Sequence, residues 1–129
     1  MFQLTFNYLV SAILGIMLFF SFVVAPVTFT SLNEENARKF IRKIFPYYYN
    51  VNLGISILAI LIFVFFKSFN LDFFLILLVT LLFALSNYVL MPLINKFKDS
   101  NQDKNFKISH LVSVVINFLQ MILLIIILI

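Results

Sequence analysis

The chain has 129 residues, 64% of them hydrophobic and 11% charged, where soluble domains carry roughly 25% charged residues. That leaves too little polar surface to clothe a water-soluble fold, so the apolar excess has to face lipid. The absence of cysteine removes disulfides, thiolate metal sites, thiol nucleophiles and lipid attachment through a thiol, and the net charge of +4 reads as loop topology, not as a nucleic-acid footprint.

Taken in order, the first apolar run covers about residues 4–27 without a formal charge. At 1.5 Å per residue it reaches roughly 36 Å, enough for a hydrocarbon core of about 30 Å. No basic residue precedes it, it is long for a signal sequence, and Pro26 follows its small-residue site at Ala25, so it is expected to stay in the mature protein. Next, Ser31 and Glu34 have capping-box spacing, and Ala37, Phe40, Ile41, Ile44 and Phe45 recur at helical intervals. They predict a short amphipathic helix that holds Arg38, Lys39, Arg42 and Lys43 at the level of anionic headgroups and ends at Pro46. Tyr47, Tyr48 and Tyr49 then anchor a second span over 47–66 at the interface.

Lys67, Ser68, Phe69 and Asn70 form a tight turn into a third span over 71–90, with Asn70 as its cap and Asp72 in its positive first turn. An exposed linker through Asp99, Ser100, Asn101, Gln102 and Asp103 leads to the fourth span, 108–129. The fold class expected is all-α: one integral-membrane four-helix bundle over 1–129, with the amphipathic helix on the cytoplasmic side between spans one and two. Arg38, Lys39, Arg42, Lys43, Lys96, Lys98, Lys104 and Lys107 fall on one side and Lys67 alone on the other. The positive-inside rule therefore puts both long loops in the cytoplasm and both termini outside it, in a cell (inner) membrane.

Polar side chains in hydrocarbon turn inward to find partners, so they mark the packed face of each span. Those residues are Asn7, Ser11 and Gly15 on the first span, and Asn50 and Gly54 on the second. The third has Thr80, Ala84, Asn87 and Met91, the fourth His110, Ser113, Asn117 and Gln120. Ser11 with Gly15, and Gly54, read as points of close helix approach. The fourth set falls at i, i+3, i+7 and i+10, one sector of a helix. It either hydrogen-bonds the bundle together or lines a pocket for a ligand.

Apart from Asp72 in the first turn of the third span, no carboxylate lies inside a hydrocarbon span, which argues against a proton relay or a cation-coupled pump. No serine has a visible base partner, and no phosphate-binding glycine loop appears, so no enzyme is indicated. One histidine cannot give two-histidine haem ligation within one molecule; His110 with Met91 or Met121 could hold haem or copper.

Gly15 and the Phe-rich stretch into Ala25, Pro26 and Phe29, then Phe45-Pro46-Tyr47-Tyr48, Asn87 with Pro92, and finally His110, Ser113, Asn117 and Gln120 resemble the transmembrane-protein-205-like family, domain of unknown function 4149, over nearly the whole chain. The last set carries most of the specificity. The resemblance implies a four-helix membrane bundle and no reaction. The reading is a small-ligand binding, permeation or accessory module. It is expected as a homo-oligomer or as a subunit of a membrane complex, because a lone bundle leaves little internal space. No cofactor is indicated; the alternative is a haem or copper redox protein using His110.

Overall fold

The computed structural model describes residues 1–129 and is all-helical. Four long helices are each long and apolar enough to cross a membrane: α1 (Phe2–Ser31), α2 (Glu34–Phe65), α3 (Leu71–Asp99) and α4 (Asp103–Leu128). They pack as two antiparallel hairpins, α1 with α2 and α3 with α4, and α1 also lies against α4 and α2 against α3. Both termini and the α2–α3 turn share one end of the bundle; the α1–α2 and α3–α4 connections share the other, here called the basic end.

The first two connections end in a side-chain cap. The Asn33 side chain accepts from the Asn36 amide at 2.8 Å to start α2, and Asn70 accepts from the Phe73 amide at 3.1 Å to start α3. Both donors would otherwise be orphaned. Glu34, Glu35 and Asp72 occupy the first turns, where a carboxylate meets the positive end of the helix dipole. Asn70 and Asp72 act as the sequence predicts, whereas Ser31 closes α1 and Asn33 takes the capping role expected of it. Helices α2 and α3 both end in left-handed residues, Lys67 at φ 52° and Asn101 at φ 56°. In each case the next amide reaches back five residues, from Ser68 to the Phe63 carbonyl and from Gln102 to the Phe97 carbonyl, both at 3.0 Å, which satisfies carbonyls the helix leaves open.

The basic segment expected as a separate helix is helical but continuous with the second span, α2 passing through Pro46. Likewise residues 91–107 between the third and fourth expected spans are mostly helix, and of the exposed linker expected at Asp99–Asp103 the turn is Ser100–Gln102. At 1.5 Å per residue these helices outreach a hydrocarbon core of about 30 Å, so the charged residues ride on rigid helical extensions.

Helices α1 and α3 share a feature at matching depth. Phe20–Val24 and Ser86–Leu90 are π-helical turns, each just before a proline, Pro26 and Pro92. A proline within a helix lacks an amide hydrogen, and its ring crowds the carbonyl four residues back. One wide turn relieves this: Ala25 bonds the Phe20 carbonyl and Met91 the Ser86 carbonyl, five residues back in each case.

The core fills the end opposite the basic residues. Phe6, Val10, Ile13 and Met17 of α1 meet Ala59 and Phe63 of α2, Ile76, Val79 and Phe83 of α3, and Leu124 of α4. Phe6 sits edge-on to Phe63 at 4.5 Å between ring centres, an arrangement worth about 0.5–1.5 kcal/mol beyond its burial. Outward faces carry Leu, Ile, Val and Phe in quantity, as lipid contact requires.

This arrangement corrects two expectations about facing. Ser11, Gly15 and Gly54 are exposed on the outside of the bundle, and a Cβ built at either glycine meets nothing within 4 Å; neither is a close-approach position within the chain. On α2 the buried face runs through Tyr48, Tyr49, Asn52, Ser56, Ala59 and Phe63, one step round from the face expected through Asn50 and Gly54.

Candidate functional site

Beyond the two proline turns the hairpins part. The end of α1 stays on α2 and the end of α3 on α4, but the backbones of the two hairpins hardly approach each other there. The gap is a cavity of about 610 Å³ walled by all four helices, a size typical of small-molecule sites. Phe20, Ser21, Ala25 and Phe29 come from α1; Arg38, Arg42, Phe45, Tyr48 and Tyr49 from α2; Met91, Ile94, Asn95 and Lys98 from α3; Phe106, His110, Ser113, Val114 and Asn117 from α4. Most of its surface is apolar.

A hydrogen-bonded chain crosses three helices at the cavity wall. The Tyr48 hydroxyl donates to Asn117 Oδ1 at 2.8 Å, and Asn117 Nδ2 donates to Ser21 Oγ at 2.9 Å. The Tyr48 ring lies stacked on Phe20 at 4.2 Å, which fixes where its hydroxyl points. Ser113 donates back to the His110 carbonyl at 2.7 Å, a bond within α4 that leaves the hydroxyl oxygen facing the cavity. His110 is at the rim, its ring stacked on Phe106 at 5.8 Å.

The mouth is basic and latched. Arg42 grips Asp99 with both terminal guanidinium nitrogens, at 2.6 and 3.2 Å, and reaches the Asn95 carbonyl at 3.4 Å. These bonds join one hairpin to the other and hold the Asp99 carboxyl below the usual carboxylate range. Lys98 approaches Glu34 at 4.0 Å and lies over the Phe106 ring at 4.9 Å. Arg38 has no carboxylate partner. Outside the mouth, Arg38, Arg42 and Lys98 also border a wholly polar vestibule of about 390 Å³ with Glu35, Lys39, Asp99 and Asn101.

The residues singled out from sequence therefore divide. His110, Ser113 and Asn117 converge on the cavity, but Gln120 lies deeper and donates to the Val79 carbonyl at 3.0 Å. Asn87 donates to Asn50 at 2.9 Å, tying α3 to α2. Asn7 is at the opposite end, where Gln3 bridges it at 3.1 Å towards Asp72 at 3.4 Å. Of the four basic residues expected at the membrane surface, Arg38 and Arg42 line the cavity, while Lys39 pairs with Glu35 at 3.1 Å and Lys43 is exposed. Sequence reasoning missed Ser21, Tyr48 and Tyr49 as wall residues; the signal was Ser21 and Asn87 standing at the same distance before their prolines.

Met91 and His110 both line the cavity, but no three His, Cys, Asp or Glu side chains gather anywhere. One imidazole and one thioether are a thin donor set for haem or copper.

The sequence profile of a domain of unknown function, DUF4149, matches residues 8–103. The chain belongs to this family. The match takes in α1, α2 and α3 with both proline turns and ends before His110, so the α4 residues that weighed most in the resemblance lie outside it. An uncharacterized protein of Aquifex aeolicus (strain VF5) is 36% identical over 109 residues, covering 84% of this chain and 80% of the relative. No solved structure matches.

Proposed function

We propose that this DUF4149 protein is a membrane-embedded binding module whose ligand occupies the cavity between the two hairpins. The observation that carries the reading is the cavity of about 610 Å³ itself, apolar over most of its wall and interrupted by a few oriented polar groups: Tyr48, Asn117, Ser21, Ser113 and His110. That is the make-up of ligand sites in general, where apolar contact supplies affinity and sparse polar groups set orientation. The space lies within a single chain, so a ligand needs no second copy to complete its site. The eight-to-one division of basic residues supports placing the basic end in the cytoplasm and the termini across a cell (inner) membrane.

The test is mass spectrometry of organic extracts from the purified protein, comparing the native chain with Val114→Trp, which fills the cavity from α4. A small molecule retained in stoichiometric amount by the native chain and lost from the variant is expected. Equal, trace retention by both would contradict the reading.

A further inference from the structure

We infer that the cavity takes a single-chain anionic amphiphile, a lipid with one apolar chain and a phosphate or carboxylate head. This rests on the ligand-cavity reading and adds the chemical class of the ligand. Three cations line the cavity, Arg38, Arg42 and Lys98, against one carboxylate, Glu34. Arg42 is held by Asp99, and Lys98 meets Glu34 only at 4.0 Å, the glutamate side chain being 86% exposed. Arg38, an exposed residue, forms no ion pair, although it stands near enough to Asp99 to help lower that carboxyl. The Lys98 and Arg42 side chains are only 29% and 33% exposed, so their field is screened less than that of a surface charge. A site that gathers cations and leaves one unpaired calls for an anion from outside.

The wall below the mouth calls for something different. Phe20, Phe29, Phe45, Met91 and Ile94 give apolar contact, which an inorganic anion cannot use and an acyl or isoprenyl chain can. The cations sit where the cavity meets the polar vestibule. The head therefore stays at the membrane surface, where charge is tolerated, while the chain runs into the bundle, so neither end is left in the wrong medium. At about 610 Å³, the cavity suits one chain better than two.

Binding is measured on the full chain in a neutral maltoside detergent by native mass spectrometry, with oleoyl lysophosphatidate, monoolein and inorganic phosphate as probes. Lysophosphatidate is expected to bind at least about tenfold more tightly than monoolein, the scale of charge-assisted hydrogen bonds. Arg38→Gln removes most of that advantage, and Lys43→Gln, an equal charge change outside the cavity, leaves it. Inorganic phosphate does not displace the lipid, and Ile94→Trp abolishes binding of both lipids.

Equal binding of monoolein and lysophosphatidate overturns the inference about charge and leaves the cavity reading intact. Displacement by phosphate makes the site one for a free anion and overturns the chain. An equal loss in Lys43→Gln reduces the effect to general surface charge. Lysophosphatidate binding that survives Ile94→Trp lies outside the cavity and counts against both readings.

Discussion

The Tyr48 hydroxyl meets Asn117 Oδ1 at 2.8 Å, and through the other half of the same amide it is linked to Ser21 at 2.9 Å. One asparagine thus ties α4 to both helices of the opposite hairpin at the depth where the bundle stops being packed and starts being open. Below it lies the dry core from Phe6 to Phe83; above it the hairpins part.

Removing that tie should loosen the bundle by a modest, measurable amount. Interhelical hydrogen bonds in membrane proteins average about 0.6 kcal/mol and reach about 1.7 kcal/mol. Tyr48→Phe and Asn117→Ala should each lower thermal stability in detergent, and a double-mutant cycle should return a coupling in that range. Strict additivity would mean that the bond contributes nothing.

Asn52 points the other way. It is fully buried and neither side-chain polar atom has a partner, and an unsatisfied buried polar group costs about 1–3 kcal/mol. Asn52→Leu, which keeps the branch at Cγ and replaces both polar atoms by methyl groups, should therefore raise the midpoint of thermal unfolding. A fall of more than a few degrees in both Asn52→Leu and the smaller Asn52→Ala would show that the amide has a partner within the bundle.

The four-helix architecture and the charge asymmetry were legible because both depend on coarse quantities: run length, charge count and the Asn70 cap with Asp72 in the turn behind it. Which side of each helix faces in was harder to read. In a soluble helix the apolar stripe names the buried face, but here both faces are apolar, and the few small or polar residues were made to serve as markers. Ser11 and Gly15 failed as markers because a lipid-facing position tolerates a small residue, while the true core of α1 is Phe6, Val10, Ile13, Met17 and Phe20.

The proline turns add a second difficulty. A π turn inserts an extra residue into the helical repeat, so the phase read before Pro26 or Pro92 does not carry past it. His110, Ser113 and Asn117 were legible because α4 has no such turn and their spacing alone puts them on one side. Their partner Tyr48, read as an interfacial anchor, could not be paired with Asn117 from spacing, because the pair is a tertiary contact.

The Arg42–Asp99 pair predicts a pH dependence. The folded fold lowers the Asp99 carboxyl, chiefly through the hydrogen bonds from Arg42. The pair's contribution is therefore complete above the ordinary carboxylate value and is lost as pH falls through the lower folded value. The native chain should lose stability relative to Asp99→Asn as pH falls from 6 to 3, by a small amount because the carboxylate is exposed. Parallel curves for the two proteins across that range would mean that Asp99 makes no difference between folded and unfolded states.

Topology is testable by reporter fusion. The basic end should lie in the cytoplasm, so an alkaline phosphatase fused after Ile129 should be active and a fluorescent protein at the same place dark. The reverse pattern would invert the orientation.

The central claim is that the bundle is dry at one end and open at the other, and the cysteine-free chain allows it to be tested with single introduced thiols. The rate of reaction with a membrane-impermeant maleimide would be compared for Ser113→Cys, on the cavity wall, and Ser56→Cys, fully buried in α2. The account predicts that position 113 reacts, that position 56 does not, and that oleoyl lysophosphatidate slows the first. Equal protection of both positions would contradict an open cavity between the hairpins.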